Sequence, residues 1–335
     1  MGTALRPRSG LAILGLAFTA SAPAFGGGGP DLQGHRGARG LAPENTMAGI
    51  ARALGVGVTT LELDTAVTRD GVVVLSHDPV LSPDVVRGPD GRWLDGRGPA
   101  IFSLARAELL RYDVGRLRPG SAYAAQHPDQ VGADGARIPT LAAAYALAAK
   151  AGNRTVRFNI ETKLDPGRPE ETPAPEAFAE AVLAVAREAG MLGRTTIQSF
   201  DWRTLVHVRK LEPGVETCYL TVEAGNDTVQ AGRPGASPWL AGLDADDHGG
   251  SAPRLVRAAG GGCWSPSFRD LTPGRLAEAH RLGLRVVPWT VNRPEDIRAV
   301  IDLGVDGIIS DRPDLVRVAL AERGLPLPEP TPVDP

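Results

Sequence analysis

The stretch Leu61–Pro79 (LELDTAVTRDGVVVLSHDP) carries two acids and a histidine at spacings that could support chemistry. Glu62 and Asp64 are separated by one residue in an apolar run, and alternate side chains of a β-strand point to the same face. Two carboxylates on one face of a buried strand need a cationic partner. A turn signal at Arg69–Gly71 and a second β-rich run then lead to His77. The stretch therefore predicts a carboxylate pair and a histidine near one site.

Other polar residues stand at the ends of further predicted strands. His35 and Arg36 follow the first strand, and Glu161 and Lys163 close the third strand on one face. The remaining strand-end residues of interest are Gln198, Ser199, Phe200, Trp289, Asn292, Ser310 and Asp311. In a barrel of parallel strands the carboxyl ends meet at the face that carries active sites, so we expect these side chains to converge.

The residue types indicate a particular chemistry. Three carboxylates, without a Cys/His zinc spacing, form an all-oxygen set that suits a hard cation such as Ca²⁺ or Mg²⁺. Two histidines could serve as general acid and base near neutral pH. Arg36 and Lys163 would donate hydrogen bonds to an anion. Metal ligands, histidines and cationic donors around one mouth predict phosphodiester chemistry.

Each of these residues also has an ordinary structural interpretation. Glu62 and Asp64 could form ion pairs with Arg52 or Arg69 at the barrel rim, and Trp289 could simply pack the barrel top. Four further histidines fall in predicted loops or helices, where we expect no functional role: His127, His207, His248 and His280. A purely structural explanation requires every one of these interpretations to be correct at the same time. We therefore favour the functional interpretation.

The elements that must position these residues alternate regularly along the chain. Predicted strands cover residues 31–34, 59–65, 155–161, 195–199, 216–221, 262–265, 284–290 and 306–310. Predicted helices cover residues 45–54, 140–151, 175–189, 201–211, 253–259, 272–282, 292–303 and 313–323. Eight such units are the count of a (β/α)8 TIM barrel. A doubly wound sheet would usually have fewer strands and a glycine fingerprint after the first strand, which this chain lacks.

Two segments are longer than ordinary connections between a strand and a helix. The first is an insertion of about residues 69–137 after the second strand, with a short helix predicted at 103–112. The second is Gly225–Gly250, after the fifth strand. Both follow carboxyl ends of strands, so we expect both to overhang the barrel mouth.

The chain ends predict export and a flexible tail. Arg6 and Arg8 precede an apolar run at residues 11–20 that is too short to span a bilayer, and residues 22–24 form an A-x-A cleavage pattern. We therefore predict a signal peptide at 1–24 and a Gly-rich linker at 25–30, with a retained membrane anchor as the alternative. The barrel is expected over 31–324, and a disordered, proline-rich tail over 325–335.

Composition excludes some classes of partner. A net charge of −3 and a pI near 6.1 do not fit a nucleic-acid-binding protein. Cys218 and Cys263 stand in apolar, strand-like runs, so buried free thiols are the simpler interpretation, although export would permit a disulfide. The oligomeric state stays open.

Six motifs together resemble the glycerophosphodiester phosphodiesterase family over about residues 32–320. They are HRGARGLAPENT (35–46), LELDTAVTRDGVVVLSHDP (61–79), NIETK (159–163), QSF (198–200), PWTVN (288–292) and GVDGIISDRP (304–313). The resemblance implies a (β/α)8 barrel that hydrolyses glycerophosphodiesters to sn-glycerol 3-phosphate and an alcohol. The long insertion is like one that exported members carry beside the site, and its sequence leaves the preferred alcohol open.

The resemblance also implies roles for individual residues. The divalent cation, Ca²⁺ or Mg²⁺, would be held by Glu62, Asp64 and Glu161, and the acid/base pair would be His35 and His77. Residues expected to contact phosphate or substrate are Arg36, Lys163, Gln198, Phe200 and Trp289, with Glu44 and Asn45 supporting the site from behind. Two alternatives remain: a related phospholipase that cleaves phosphatidylinositol or sphingomyelin, and a barrel that binds glycerophosphodiesters without cleaving them.

Overall fold

A barrel of eight parallel strands forms the centre of the molecule in the computed structural model, which describes residue 1 and residues 28–335. The predicted signal peptide after residue 1, and residues 25–27 of the predicted linker, lie outside the described residues. The strands are β1 (Asp31–Gly34), β2 (Thr60–Val67), β3 (Val73–Leu75), β4 (Arg157–Thr162), β5 (Thr195–Ser199), β6 (Glu216–Thr221), β7 (Cys263–Pro266), β8 (Arg285–Val286) and β9 (Gly307–Ser310). All belong to the barrel wall except β3, which pairs antiparallel with β2.

The helices are α1 (Met47–Val56), α2 (Arg106–Leu109), α3 (Ala122–Ala125), α4 (Leu141–Lys150), α5 (Pro175–Glu188), α6 (Trp202–Leu211), α7 (Ala252–Ala258), α8 (Pro273–Arg281), α9 (Pro294–Leu303) and α10 (Pro313–Ala321). All except α2 and α3 follow a barrel strand as the sequence predicts, with boundaries within two residues of the predicted ones. The helix α2 is shorter than the one predicted at 103–112, and α3 was not predicted. The agreement follows from strong start signals: the side chains of Thr46, Thr140, Asp201 and Thr272 each accept a backbone N–H at a helix start. Within the described residues, none of these helices has the length and apolar character needed to cross a bilayer.

Barrel closure occurs between β8 and β9. The Asp306 N–H donates to the Val286 carbonyl at 2.9 Å, and the Ile309 N–H donates to the Pro288 carbonyl at 3.0 Å. The predicted seventh strand, 284–290, is too long, because regular pairing covers only Arg285–Val286. Pro288 has no N–H to contribute to the ladder.

Strand register sets the site residues side by side. Asp64 on β2 is the direct partner of Glu161 on β4, and Glu161 is the partner of Gln198 on β5. The alternate residues Leu61 and Leu63 are fully buried in the main hydrophobic core instead. The period of two predicted from the sequence therefore separates carboxylates from core residues on β2.

The cap segment, which we define as residues 76–139, connects the β2–β3 hairpin to α4 and contains α2 and α3. It shares a small hydrophobic cluster with β2 and β3, made of Ala66, Val74, Leu81, Val86, Ile101, Leu109 and Ile138. Gln130 donates to the Arg39 carbonyl at 2.7 Å, and the Val131 N–H donates to the Leu41 carbonyl at 3.0 Å. The cap segment is thus fastened to the loop that follows β1.

The prediction of a disordered C-terminal tail is wrong. The Thr331 N–H donates to the Leu54 carbonyl at 2.9 Å, and its hydroxyl accepts from Asn153 at 3.0 Å. Leu325, Leu327 and Val333 pack against the main core. Proline enrichment indicated disorder, but these apolar side chains give the tail enough buried surface to hold it against the barrel.

The two cysteines are joined, contrary to the expectation of free thiols. Cys218 on β6 and Cys263 on β7 are register partners with Cα atoms 4.5 Å apart, and they form a disulfide. The prediction that both cysteines have apolar surroundings is confirmed, because both are buried. Only the pairing register, which sequence does not reveal, places them opposite each other.

Candidate active site

Three carboxylates form a buried cluster at the carboxyl ends of β2 and β4. Glu62, Asp64 and Glu161 each offer an oxygen within 4.8 Å of the others. Burial and the nearby charges of Asp64 and Glu161 raise the pKa of Glu62, while burial raises the pKa of Glu161 to about 7 despite Lys163. The Asp64 Oδ1 atom is buried without a hydrogen-bond partner. An oxygen-only cluster with mutual repulsion and an unsatisfied acceptor fits a divalent cation.

Two basic side chains face this cluster. Arg36 Nε lies 3.3 Å from Asp64 Oδ2, and Lys163 Nζ lies 3.7 Å from Asp64 Oδ1 and 2.7 Å from Glu161 Oε1. Burial raises the pKa of Asp64, but Arg36 and Lys163 outweigh burial and lower it below its usual range. The alternative ion pair with Arg69 is wrong, because the Arg69 guanidinium binds a glutamate of α2 at 2.8 Å.

The loop after β1 supports the cluster from behind. Both Arg36 and Asn45 have a φ of 52°, in the left-handed region that non-glycine residues seldom adopt outside functional sites. This backbone lets the Arg36 N–H donate to Glu62 at 2.8 Å and the Asn45 amide donate to Asp64 at 2.9 Å. Glu44 Oε1 lies 2.8 Å from Arg36 Nη1. The two residues predicted to support the site thus contact a carboxylate of the cluster and the arginine beside it.

His35, at the end of β1, is oriented by an aspartate. Its Nδ1 lies 2.6 Å from Asp311 Oδ1, and its Nε2 lies 3.9 Å from Glu62 Oε2. Arg39 holds Asp311 with two hydrogen bonds of 2.8 and 2.9 Å. Burial and the Arg39 charge lower the pKa of His35 to about 4, against the opposing effect of Asp311. A carboxylate on Nδ1 fixes the ring and directs Nε2 toward the carboxylate cluster.

His77 reaches the same place from the cap segment. It lines a cavity of about 210 Å³ together with His35, Arg36, Glu62, Glu161 and Lys163. Its Nδ1 lies 2.8 Å from Asp78 Oδ1. Burial and the charges of two nearby cations, Arg36 and Lys163, lower its pKa. The chain that continues beyond β2 therefore returns to the barrel mouth and places His77 there.

The remaining predicted contact residues also line this cavity. Gln198 donates to Glu62 Oε1 at 2.8 Å and accepts from Asn159 at 2.9 Å, so it positions a carboxylate of the cluster. Phe200 and Trp289 meet edge to face with ring centroids 5.3 Å apart. They form an apolar wall beside the charged residues.

Their position at strand ends predicts that Asp311 and Asn292 converge with the other site residues, although it gives neither a role. Asp311 lies 2.6 Å from His35 Nδ1, and Asn292 donates to Asp311 at 2.6 Å. Two site residues were missed by sequence reasoning. Arg39 lies inside a quoted motif. Tyr123 of the cap segment accepts from Arg39 at 3.0 Å and from Arg36 at 3.3 Å, and no sequence signal marks it.

The other histidines do not line the catalytic cavity. His207 and His280 form ion pairs of 2.9 Å with Glu176 and Asp306. His127 is buried in the cap segment with its ring 5.3 Å from that of Tyr123.

Comparison with known proteins gives consistent matches. A sequence model described as the glycerophosphoryl diester phosphodiesterase family matches residues 35–315. A glycerophosphodiester phosphodiesterase of Caldanaerobacter subterraneus subsp. tengcongensis is 27% identical over 87% of this chain and 97% of that protein. One from Bacillus subtilis is 28% identical, with 84% and 83% covered.

Solved structures agree in fold. A candidate glycerophosphoryl diester phosphodiesterase from Silicibacter pomeroyi DSS-3 is 38% identical, with 88% of this chain and 93% of that chain covered and a TM-score of 0.77. An Oleispira antarctica phosphodiesterase in complex with the product sn-glycerol-3-phosphate is similar in fold, with 21% identity, 87% and 97% covered and a TM-score of 0.61. With a barrel of this type and a family match over residues 35–315, the chain belongs to the glycerophosphoryl diester phosphodiesterase family, a family of phosphoric diester hydrolases.

Proposed function

We propose that this phosphodiesterase hydrolyses glycerophosphodiesters to sn-glycerol 3-phosphate and an alcohol, with one divalent cation, Ca²⁺ or Mg²⁺, and two histidines. The observation that carries the proposal is one cavity of about 210 Å³ lined by both histidines, two carboxylates of the cluster and three cationic side chains. The Caldanaerobacter relative, a glycerophosphodiester phosphodiesterase, and the sn-glycerol-3-phosphate bound in the Oleispira structure support the same reaction.

Glu62, Asp64 and Glu161 would hold the cation. Their donor set is all oxygen, and the buried Asp64 Oδ1 has no hydrogen-bond partner. When bound, a divalent cation polarises a phosphoryl oxygen as a Lewis acid. Gln198 and the Arg36 N–H would keep the Glu62 oxygens in place, because each donates to one of them.

The protein's own residues would carry the proton transfers. One histidine removes a proton from the nucleophile, either water or the glycerol 2-hydroxyl of the substrate, as its oxygen bonds to phosphorus. The other histidine protonates the departing alcohol oxygen as the phosphorus–oxygen bond breaks. If the 2-hydroxyl is the nucleophile, this step leaves a cyclic phosphodiester, and water then opens the ring to give sn-glycerol 3-phosphate. Arg36 and Lys163 offset the charge that develops on the non-bridging oxygens.

A single assay of product release tests this reaction. The purified protein, with Ca²⁺ or Mg²⁺ added, is incubated with glycerophosphocholine, glycerophosphoglycerol and glycerophosphoinositol, and sn-glycerol 3-phosphate is measured enzymatically. We expect release that stops after dialysis against EDTA and returns with the cation. No release from any diester would refute hydrolysis, as the binding-only alternative predicts. Activity that survives dialysis would refute the metal requirement, and activity confined to phospholipid vesicles would favour a phospholipase.

We also infer that the protein is exported, as a periplasmic or secreted enzyme without a stable membrane anchor. The predicted signal peptide at 1–24 supports this inference, and so does the disulfide between Cys218 and Cys263, since disulfides persist mainly outside the cytosol. The mature enzyme would then consist of the linker, the barrel domain over 31–324 and the C-terminal tail. Cell fractionation and mass spectrometry of the mature N-terminus test the inference. A cytosolic protein with an intact N-terminus would contradict it.

A further inference from the structure

A second, larger cavity adjoins the catalytic one at the barrel mouth. Its volume is about 810 Å³, and it shares His77, Lys163, Phe200 and Trp289 with the catalytic cavity. The long loop after β6 forms its outer wall with residues 222–239. At about 210 Å³, the catalytic cavity is smaller than a typical small-molecule site, so part of a diester substrate must extend beyond it. The shared residues make the larger cavity the continuation of the site.

Part of the lining of this larger cavity is aromatic. Phe200, Trp239 and Trp289 all line it, and Phe200 and Trp289 already pack edge to face. The Trp239 carbonyl accepts from the Trp202 N–H at 2.8 Å, which ties this part of the loop to the start of α6. Flat aromatic faces pack well against the C–H surface of a ring or chain whose polar groups point away from them.

The rim of the cavity mixes hydrogen-bond donors and acceptors. Its polar side chains outside the catalytic cavity are Asp165, Arg168, Asn226, Asp227, Thr228 and Arg233. A hydroxyl group both donates and accepts, so an alcohol with several hydroxyls can use both kinds of partner. A trimethylammonium group has no hydrogen-bonding atom and can use neither.

The charge around the cavity also disfavours a cationic head group. Its lining contains three cationic side chains, Lys163, Arg168 and Arg233, and two carboxylates, Asp165 and Asp227. Lys163 Nζ already lies 5.8 Å from the centroid of the Phe200 ring, so one aromatic ring has a cation. A cationic head group would add to three cationic side chains and would find the Asp227 carboxylate already paired with Arg233 at 3.5 Å, whereas a neutral alcohol carries no such penalty.

We propose that this cavity, the alcohol subsite, binds the leaving alcohol of the substrate and selects neutral polyhydroxy alcohols, such as glycerol or inositol, over choline and ethanolamine. The inference rests on the proposed function and specifies its substrate class. Trp239 would act as the packing surface and Arg233 as the residue that sets the charge. Neither residue lines the catalytic cavity.

Comparison of diesters that differ only in their alcohol tests the subsite. The ratio of kcat/KM for glycerophosphoinositol and glycerophosphoglycerol to that for glycerophosphocholine is expected to be about tenfold or more, the range available when a site hydrogen-bonds substrate hydroxyls. Equal or better use of glycerophosphocholine would overturn the proposal. Glycerol 3-phosphate would still be released in that case, so the proposed function would stand. Only a lack of release from all three diesters would contradict both the proposed function and the proposed subsite.

Two loop variants sharpen the comparison. Arg233→Glu changes an exposed side chain and turns the net charge of the lining negative, so we expect the ratio to shift toward the choline diester by about threefold to tenfold. Arg154→Glu, an exposed residue before β4 at the opposite end of the barrel, is the matched control and should leave the ratio unchanged. Trp239→Leu should lower kcat/KM for the polyol diesters more than for the choline diester. A uniform loss across all substrates, or equal shifts in both arginine variants, would contradict the assignment.

Discussion

His35 and His77 reach one cavity from two different parts of the chain, and each has an aspartate on Nδ1. His35 extends from β1 and is held by Asp311, whereas His77 follows the β2–β3 hairpin and lies 2.8 Å from Asp78. Two imidazoles around one cavity could divide proton removal from proton donation. The partners on Nδ1 favour the ring orientation in which Nε2 is available to the substrate.

Replacement of either histidine tests this division of labour. His35→Ala and His77→Ala should each lower kcat by about 10²- to 10⁴-fold, the usual contribution of a general acid or base. The measurement is release of glycerol 3-phosphate at saturating diester and cation. His207→Ala serves as the control, because His207 pairs with Glu176 on the outer helices and does not line the cavity. A variant at His35 or His77 with turnover near that of the wild type would remove that residue from the mechanism.

Gln198 illustrates how the barrel interior supports the cation site. Its amide links Glu62 to Asn159, whose amide also donates to Gln33 at 2.9 Å. Gln33 in turn donates to Asp31 at 2.7 Å. This hydrogen-bonded chain through the barrel fixes the direction of each amide and leaves the Gln198 NH₂ group to hold Glu62.

Gln198→Leu should therefore weaken cation binding. The expected loss of affinity is about 10- to 100-fold, the usual effect of removing a group that orients a metal ligand. The readout is the Ca²⁺ concentration that raises the melting temperature halfway, which requires no turnover. Gln126→Leu, at an exposed glutamine of the cap segment, is the control. An unchanged Ca²⁺ titration would show that Gln198 does not position Glu62.

At the scale of elements, the cap segment contributes to the site through Tyr123 of α3. The Tyr123 hydroxyl bonds to Arg36, Arg39 and Glu44, and the Arg39 guanidinium lies 5.8 Å from the centroid of its ring. The cap segment therefore holds the arginine that we expect to bind phosphate. Such a contact couples the packing of a surface segment to the geometry of the barrel mouth.

Tyr123→Phe keeps the ring and removes only the hydroxyl. Loss of these hydrogen bonds should lower kcat/KM by about 10-fold or more, since a bond to a charged group is worth roughly 1.5 kcal/mol or somewhat more. The measurement is the diester concentration dependence of the initial rate. Tyr112→Phe, in the same segment, is the control. Equal effects of both substitutions would indicate a general loosening of the cap segment instead of a specific hold on Arg36.

At the scale of the whole molecule, the C-terminal tail packs against the barrel and its helices. Arg317 donates to the Pro328 carbonyl at 2.6 Å, and the tail also bonds to the end of α1 through Thr331. Leu325, Leu327 and Val333 are partly buried against the main core. None of these tail residues lines the catalytic cavity or the alcohol subsite, so they should affect stability more than catalysis.

Deletion of residues 325–335 tests that expectation. Loss of the apolar contacts made by three partly buried side chains should lower the free energy of unfolding by about 2–4 kcal/mol, because each contributes roughly 1 kcal/mol or more. The melting temperature should fall by several degrees while kcat changes little. Thermal unfolding followed by circular dichroism measures the melting temperature, and the diester assay measures kcat. A truncated protein with an unchanged melting temperature would contradict the packing described for the tail.

Much of the fold and part of the site could be predicted, for identifiable reasons. Glu62, Asp64 and Glu161 follow from strand periodicity, because a period of two places the carboxylates on one face. Helix boundaries follow from local capping residues such as Thr46 and Thr140. These signals lie within a few residues of the feature they specify.

The sequence by itself determined the alternation of eight strands and helices, the polar residues at the strand ends and the family motifs, because each depends on neighbours along the chain. Only the tertiary structure decided the contacts between distant segments: Asp311 on His35, Tyr123 on Arg36, and Cys218 with Cys263. The alcohol subsite likewise exists only where the loop after β6 faces the barrel mouth. Such contacts depend on strand register and on the path of long loops, which the periodicity of side chains does not encode.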